Sequence, residues 1–266
     1  MAVNGPLLQI EGLTLSFGGV KVLRGVTFHV PRGVFCSIIG PNGAGKTSLL
    51  NCINGHYQPQ AGRIILDGED IALRKPNHIA RRGVARTFQK IELFPHMTVL
   101  DNVKLGRHFL MQSSPLSCFL RLPGMVREEF DHRRELDDQV IDFLGLSGVR
   151  NRIVSSLPHG IRKRVDLARA LAMKPRLLLL DEIMAGMSIE EKEDIASYLM
   201  DIHRDWRVTM IWIEHDLAAV MELSSHVTVL NFGEKIAEGT PEEIQKNPAV
   251  IEAYLGSQEE SGVPSH

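Results

Sequence analysis

Eight residues constrain this chain more than any others: Gly40-Pro41-Asn42-Gly43-Ala44-Gly45-Lys46-Thr47 fit the pattern G-x-x-x-x-G-K-[ST]. The apolar run Val34-Phe35-Cys36-Ser37-Ile38-Ile39 before them reads as a buried strand, and Thr47-Ser48-Leu49-Leu50 opens a helix. That strand–loop–helix context is the one in which the pattern has a mechanism. Its glycines let the chain wrap until successive backbone N–H groups point inward and form an anion cradle. The helix N-terminus adds the positive end of its dipole. Lys46 is placed to reach β- and γ-phosphates, Thr47 to offer its hydroxyl to Mg²⁺, and Ser48 belongs to the same binding segment. Average composition makes a chance match roughly a 1% event in a chain of this length, and correct placement lowers that further. The pattern implies an α/β fold that binds a nucleoside triphosphate.

With 266 residues, 44% of them apolar, and a net charge of −2, the chain can build one large α/β domain, with or without an inserted subdomain. The near-neutral balance argues against nucleic acid as a partner. Two basic clusters, Arg81-Arg82 with Arg86 and Arg162-Lys163-Arg164, read as solvated faces or a local phosphate neighbourhood. Cys36, Cys52 and Cys118 lack metal-ligand spacing, and the first two lie in apolar elements, as inert buried thiols do. The N-terminal residues carry no signal-peptide pattern. No run of 18 apolar residues occurs, so any membrane part must come from other chains.

Residues 7–31 alternate apolar and polar on either side of Gly18-Gly19, an antiparallel strand pair. Residues 63–68 give another short strand and turn. From about 98 to 145 the pattern turns helical, with a capping pair Thr98/Asp101 and, behind the charged run Arg127 to Arg134, Leu136, Val140, Phe143 and Leu144 at helical spacing. Residues 111–124 read as a connector. The α/β alternation resumes with strands at 177–180, 208–213 and 227–230. Ser188/Glu191 and Thr240-Pro241 with Glu243 predict capping boxes. Strands alternating with helices imply a parallel sheet covered on both faces, with the chemistry at the carboxyl ends of its strands. Gly40, Asp181 and His215 all fall at such ends.

Asp181 closes a run of four leucines, where a carboxylate can hold Mg²⁺ through water or the Thr47 shell, and Glu182 beside it can polarise an attacking water. From here the sequence resembles one family over almost its whole length: the ATP-binding subunits of ABC transporters. The resemblance implies roles for Phe17 (stacking on adenine, although a bare Phe there reads equally as a core aromatic), for Gln89 in Arg86-Thr87-Phe88-Gln89 (touching Mg²⁺ and water), and for His215 (contacting the γ-phosphate). The family's signature Leu-Ser-Gly-Gly-Gln, which acts on the opposite subunit's nucleotide, aligns with Leu157-Pro158-His159-Gly160-Ile161. Only Leu157 and Gly160 survive, and Pro158 offers neither hydroxyl nor N–H. A Leu-Pro here is similar to one branch of amino-acid importers. The family's Ser-Ala-Leu-Asp segment is replaced by Ala185-Gly186-Met187-Ser188. The ending from Val229 through Ile236-Ala237-Glu238-Gly239-Thr240-Pro241 to Tyr254-Leu255-Gly256 looks like that of branched-chain amino-acid importer ATPases.

The resemblance implies a P-loop NTPase core of mostly parallel sheet and an antiparallel β subdomain over about 1–90 and 165–238. It also implies an inserted α-helical subdomain over about 91–164, a C-terminal helix over about 240–255 and a flexible tail over 257–266. It implies ATP and Mg²⁺ as cofactors, with Thr47, Gln89 and Asp181 around the metal. The partners implied are two membrane permeases, a second ATP-binding subunit, identical or paralogous, and a substrate-binding protein, with the chain peripheral at the cytoplasmic face of the membrane. Uptake of branched-chain or related hydrophobic amino acids is the expected task. Related importers of urea, amides or organic acids and lipopolysaccharide-type exporters stand as alternatives within transport, and a translation or DNA-repair ATPase outside it. Ile91, Leu93, Phe94 and Met97 are candidates to line an apolar groove for the membrane partner, with core packing the alternative for each.

Overall fold

Two sheets organise the chain, as seen in a computed structural model that describes residues 5–108 and 138–259. The first is antiparallel. Strands β1 (Leu8–Phe17) and β2 (Val20–Val30) form the hairpin across Gly18-Gly19, pairing Leu8 with Val30 and Phe17 with Val20. On the other edge of β1 lie β4 (Ala61–Leu66) and β5 (Glu69–Asp70), giving the order β2-β1-β4-β5. The period-2 pattern does its expected work: Leu8, Ile10, Leu13 and Leu15 are buried on one face together with Val26, Phe28 and Val30.

The second sheet has the order β10-β9-β3-β8-β7-β6. It comprises β3 (Phe35–Ile39), β6 (Val84–Arg86), β7 (Leu177–Asp181), β8 (Thr209–Ile213), β9 (His226–Asn231) and β10 (Glu234–Gly239). All neighbours are parallel except β10, which runs back along β9. Its central strands read as unbroken apolar runs because both faces are covered. Phe35, Leu178, Leu180, Met210 and Trp212 point into one core, while Cys36, Ile38, Leu177, Leu179, Ile211 and Ile213 point into the other. Burial pushes the Cys36 and Cys52 thiols up to about 12, so both are inert protonated side chains. β6 escapes sequence reading because three residues carry no period, yet it forms the sheet edge that leads to Gln89.

Helices α1 (Lys46–Ile53), α2 (Pro76–Arg81), α3 (Val99–His108), α4 (His159–Leu171), α5 (Ile189–Trp206) and α6 (Leu217–Leu223) follow in chain order, with a further helical stretch over 138–143. Thr98 caps α3, its hydroxyl accepting from Asp101 N–H at 3.1 Å while donating to the Asp101 carboxylate at 2.6 Å. The predicted C-terminal helix over about 240–255 is two helices, α7 (Pro241–Gln245) and α8 (Pro248–Glu259). Pro248 disfavours helical backbone at Asn247, and the Asn247 side chain accepts from Ala249 N–H at 3.0 Å to start the second helix. Because α8 runs to Glu259, residues 257–259 are helical where the sequence suggested a tail. The connector at 111–124, the charged run before 135, Leu136, Cys118 and residues 260–266 lie outside the described residues. Among the described residues, no helix is long and apolar enough to cross a membrane.

Both predicted capping boxes are present. Glu191 N–H donates to Ser188 Oγ at 3.2 Å and Ser188 N–H to Glu191 Oε2 at 3.0 Å, with the same reciprocal pair at Thr240 and Glu243. Ser188→Ala removes one of these from an 18-residue helix, and denaturant titration should show a loss of about 1 kcal/mol.

Candidate nucleotide site

The loop between β3 and α1 turns back over the strand end. Gly40 has φ 148°, and a Cβ there would run into the carbonyl oxygen of Leu230 on the neighbouring strand, so only glycine fits. Lys46 starts α1, and its Nζ donates to the Gly40 and Pro41 carbonyls at 2.7 and 2.9 Å. Burial lowers its pKa, while Glu182 and Asp181 favour the cation. The loop opens on a cleft of about 250 Å³ lined by Asn42 through Ser48, Val22, Glu182 and His215. Thr47 is exposed toward solvent on the first turn of α1.

The carboxyl ends of three adjacent strands bring the remaining residues together. From β7 comes Asp181, from the segment after β6 comes Gln89, and from the segment after β8 comes His215. Asp181 is 1% exposed and accepts from Arg86 Nη2 at 2.7 Å through Oδ2. Its Oδ1 is buried without a partner, an acceptor aimed at something the protein does not supply. Arg86 also donates to Asn51 Oδ1 at 2.6 Å and lies 5.1 Å from the Phe88 ring centroid. Of the two readings of its basic cluster, solvated face or phosphate neighbourhood, the solvated face fails for Arg86, because charge pairing with Asp181 takes it into the core.

Glu182 stands at the mouth of the cleft between two partners. Gln89 Nε2 donates to its Oε2 at 2.6 Å, and His215 Nε2 lies 2.8 Å from its Oε1. Its backbone is left-handed, φ 48°, which a non-glycine residue rarely adopts. Neighbouring bonds hold it there: Glu182 N–H donates to Ile213 O at 2.9 Å, and Met184 N–H donates to Glu214 Oε1 at 2.8 Å. Glu214 is itself buried, and burial raises its pKa against the pull of the Met184 and His215 N–H bonds. Among the described residues no three His, Cys, Asp or Glu side chains gather as a metal cluster. A cation here would draw on the Asp181 oxygen, the Thr47 hydroxyl and a ligand's phosphates, the mode in which Mg²⁺ is usually held.

Comparison with known proteins decides the family. Residues 23–185 match the family model described as ABC transporter, and residues 234–260 match the one described as branched-chain amino acid ATP-binding cassette transporter. The high-affinity branched-chain amino acid transport ATP-binding protein BraF of Pseudomonas aeruginosa is 39% identical over 254 residues, 96% of this chain and 99% of that protein. LivG of Escherichia coli, of the same description, is 36% identical over 256 residues, covering 96% and 99%. A solved nucleotide-free cassette from an ABC transporter superimposes with a TM-score of 0.80 at 31% identity, covering 94% of this chain and 99% of its own. The chain belongs to the ATP-binding subunits of ABC transporters.

Other parts of this ABC subunit now find their places. Phe17 is not a core residue: it is 47% exposed at the hairpin end, 5.0 Å edge-to-face from Tyr57, and does not line the cleft. The signature-like residues 157–161 do not line it either. They precede and open α4, with Leu157 buried, Pro158 at the N-cap and His159 Nε2 3.4 Å from the Ala185 carbonyl. Gly160 packs against the Glu191 carboxylate, which a Cβ there would displace. Lys163 is 1% exposed and so leaves the solvated face assigned to its basic cluster. The apolar groove is a volume of about 760 Å³ lined by His56, Ile79, Phe88, Phe94, Leu105 and Met173, among others. Ile91, Leu93 and Met97 do not line it, and Leu93 packs on the core instead.

Sequence reasoning missed Val22, Arg86, Lys163 and Glu214. Only the charge of Arg86 and Lys163 could have marked them, and charge alone points to the surface. Arg86→Met strands the Asp181 carboxylate in the core, and urea unfolding should register a loss of about 3–5 kcal/mol, partly restored by Asp181→Asn in the same chain.

Proposed function

We propose that this ABC subunit hydrolyses ATP to ADP and phosphate, with Glu182 as the base. The observation that carries the reading is the clamp on Glu182, held at 2.6 Å by Gln89 and 2.8 Å by His215 over the loop that carries Lys46. Glu182 accepts the proton of the attacking water, and its two partners keep both carboxylate oxygens on that side of the cleft. Gln89 orients the same water, and His215 stabilises the γ-phosphate geometry. The backbone N–H groups of 42–48 cradle the phosphates, and Lys46 leaves its two carbonyl acceptors for the β- and γ-phosphate oxygens. Phe17, half-exposed beside the cleft-lining strand β2, stacks on adenine. Thr47, Asp181 and Gln89 would hold Mg²⁺, whose chemistry is to neutralise charge developing on the phosphates. The unpartnered Asp181 Oδ1 supports that assignment.

Two such subunits, identical or paralogous, close on two ATP molecules, each offering residues 157–161 to the other's nucleotide. The first-turn N–H groups of α4, with no side-chain cap, are suited to that anion despite the lost serine. The groove beside Phe94 receives a helix of a membrane permease, two permeases forming the pathway and a substrate-binding protein delivering cargo. The chain then sits peripherally at the cytoplasmic face of the membrane. Branched-chain or related hydrophobic amino acids are the cargo this reading favours, supported by the described transport of BraF and LivG and by the C-terminal match over 234–260.

Glu182→Gln should retain ATP, lose turnover by on the order of a thousandfold and accumulate as a dimer in size-exclusion chromatography; turnover at the parent rate would remove Glu182 from its role. Lys46→Ala should abolish nucleotide binding by calorimetry. Affinity purification of the Glu182→Gln chain from native membranes with ATP should bring down permeases and a second ATPase, whereas recovery of ribosomes or soluble proteins alone would overturn the transport assignment.

A further inference from the structure

A buried lysine lies where the mechanism above has no use for one. Lys163, on the first turns of α4, donates from Nζ to the backbone carbonyls of Gln89 at 2.9 Å and Glu182 at 3.3 Å. The Gln89 side chain in turn donates to the Glu182 carboxylate at 2.6 Å. Lys163, Gln89 and Glu182 therefore close a ring in which both the backbone and the side-chain separations of the last two are fixed. One turn further along α4, Asp166, also 1% exposed, accepts from Phe88 N–H at 3.1 Å and pairs with Arg169 at 2.6 Å. Core filling alone would be served by Leu or Met, because an interior cation is costly unless its donors are used. Here the donors are used on the two residues that bracket the reaction, and Asp166, Glu214, Glu182 and Asp181 all favour the cation against burial.

We propose that Lys163 is a positioning residue for hydrolysis, tying the signature helix α4 to Gln89 and Glu182 so that the base and its glutamine partner keep their spacing. The proposal rests on the reading of Glu182 and Gln89 as hydrolytic residues. Lys163 does not line the cleft; it acts through the two backbones it holds, and Asp166 supplies the second tie one residue earlier in the loop.

The test is steady-state ATP hydrolysis by the full-length chain, with nucleotide affinity and melting temperature measured beside it. Lys163→Met should leave ATP affinity unchanged and lower kcat by on the order of tenfold to a hundredfold, the scale at which a displacement of about 1 Å acts. Lys163→Arg, which keeps a charged donor, should restore most of the turnover. In a Gln89→Ala background Lys163→Met should cost much less than it does alone, because both act through one ring. A general packing defect would instead multiply the two losses. Parent-level turnover in Lys163→Met, or multiplying losses, overturns the proposal. If Lys163→Met does not fold, Asp166→Asn in the same cycle with Gln89→Ala decides by the same criterion. Glu182→Gln is the control: if it turns over normally, the hydrolytic reading itself has failed, and if it is inactive while Lys163→Met is unimpaired, only the positioning role has.

Discussion

The left-handed backbone of Glu182 is the constraint on which the rest of the site depends. A non-glycine residue in that conformation costs on the order of 1–3 kcal/mol and persists only where the surroundings over-determine it. Here they come from four groups: the Ile213 carbonyl at the end of β8, the Glu214 carboxylate just beyond it, the Lys163 ammonium from α4, and Gln89 from the loop after β6. The turn lifts the carboxylate out of the sheet plane and into the cleft, while its neighbour Asp181 continues the strand and stays buried. Two adjacent acids thereby face different environments, one at the cleft and one in the core, which under the proposed reading suits one to the water and the other to a cation.

The electrostatics follow from the same arrangement. Asp181 would be costly alone in the core, and Arg86 compensates it through one oxygen while leaving the other unpartnered. Lys46 spends its hydrogen bonds on two loop carbonyls, which keeps a buried ammonium satisfied until a stronger anion arrives. Under the proposed reading, phosphate oxygens take the place of these two carbonyls.

What the sequence could reveal tracks how local each interaction is. The phosphate loop, the capping boxes at Ser188 and Thr240, the hairpin around Gly18-Gly19 and the two-sided burial of β7 are encoded within a few residues and were legible. The sequence leaves Arg86 and Lys163 open between a solvated face and a phosphate neighbourhood because their partners lie 95 and 19–74 positions away in the chain. β6 carries too few residues for a period, and the break at Asn247-Pro248 was hidden inside a stretch that reads as one helix by composition. The groove shows the same limit. Of the four apolar candidates, open between groove and core by sequence, Phe94 lines it and Leu93 packs on the core.

That groove and the nucleotide cleft share a wall only a few residues thick. Arg86 and Phe88 line the groove; Arg86 holds Asp181, and Gln89, the next residue after Phe88, holds Glu182. A partner pressing on Phe88 therefore acts one peptide away from Gln89, which holds the Glu182 carboxylate, and α4 braces Phe88 and Gln89 from behind through Asp166 and Lys163. Under the proposed reading, communication between membrane and nucleotide needs no long relay. A shift of the 86–89 segment against α4 changes both faces at once, and the strength of that brace sets how much of the partner's movement reaches the carboxylate.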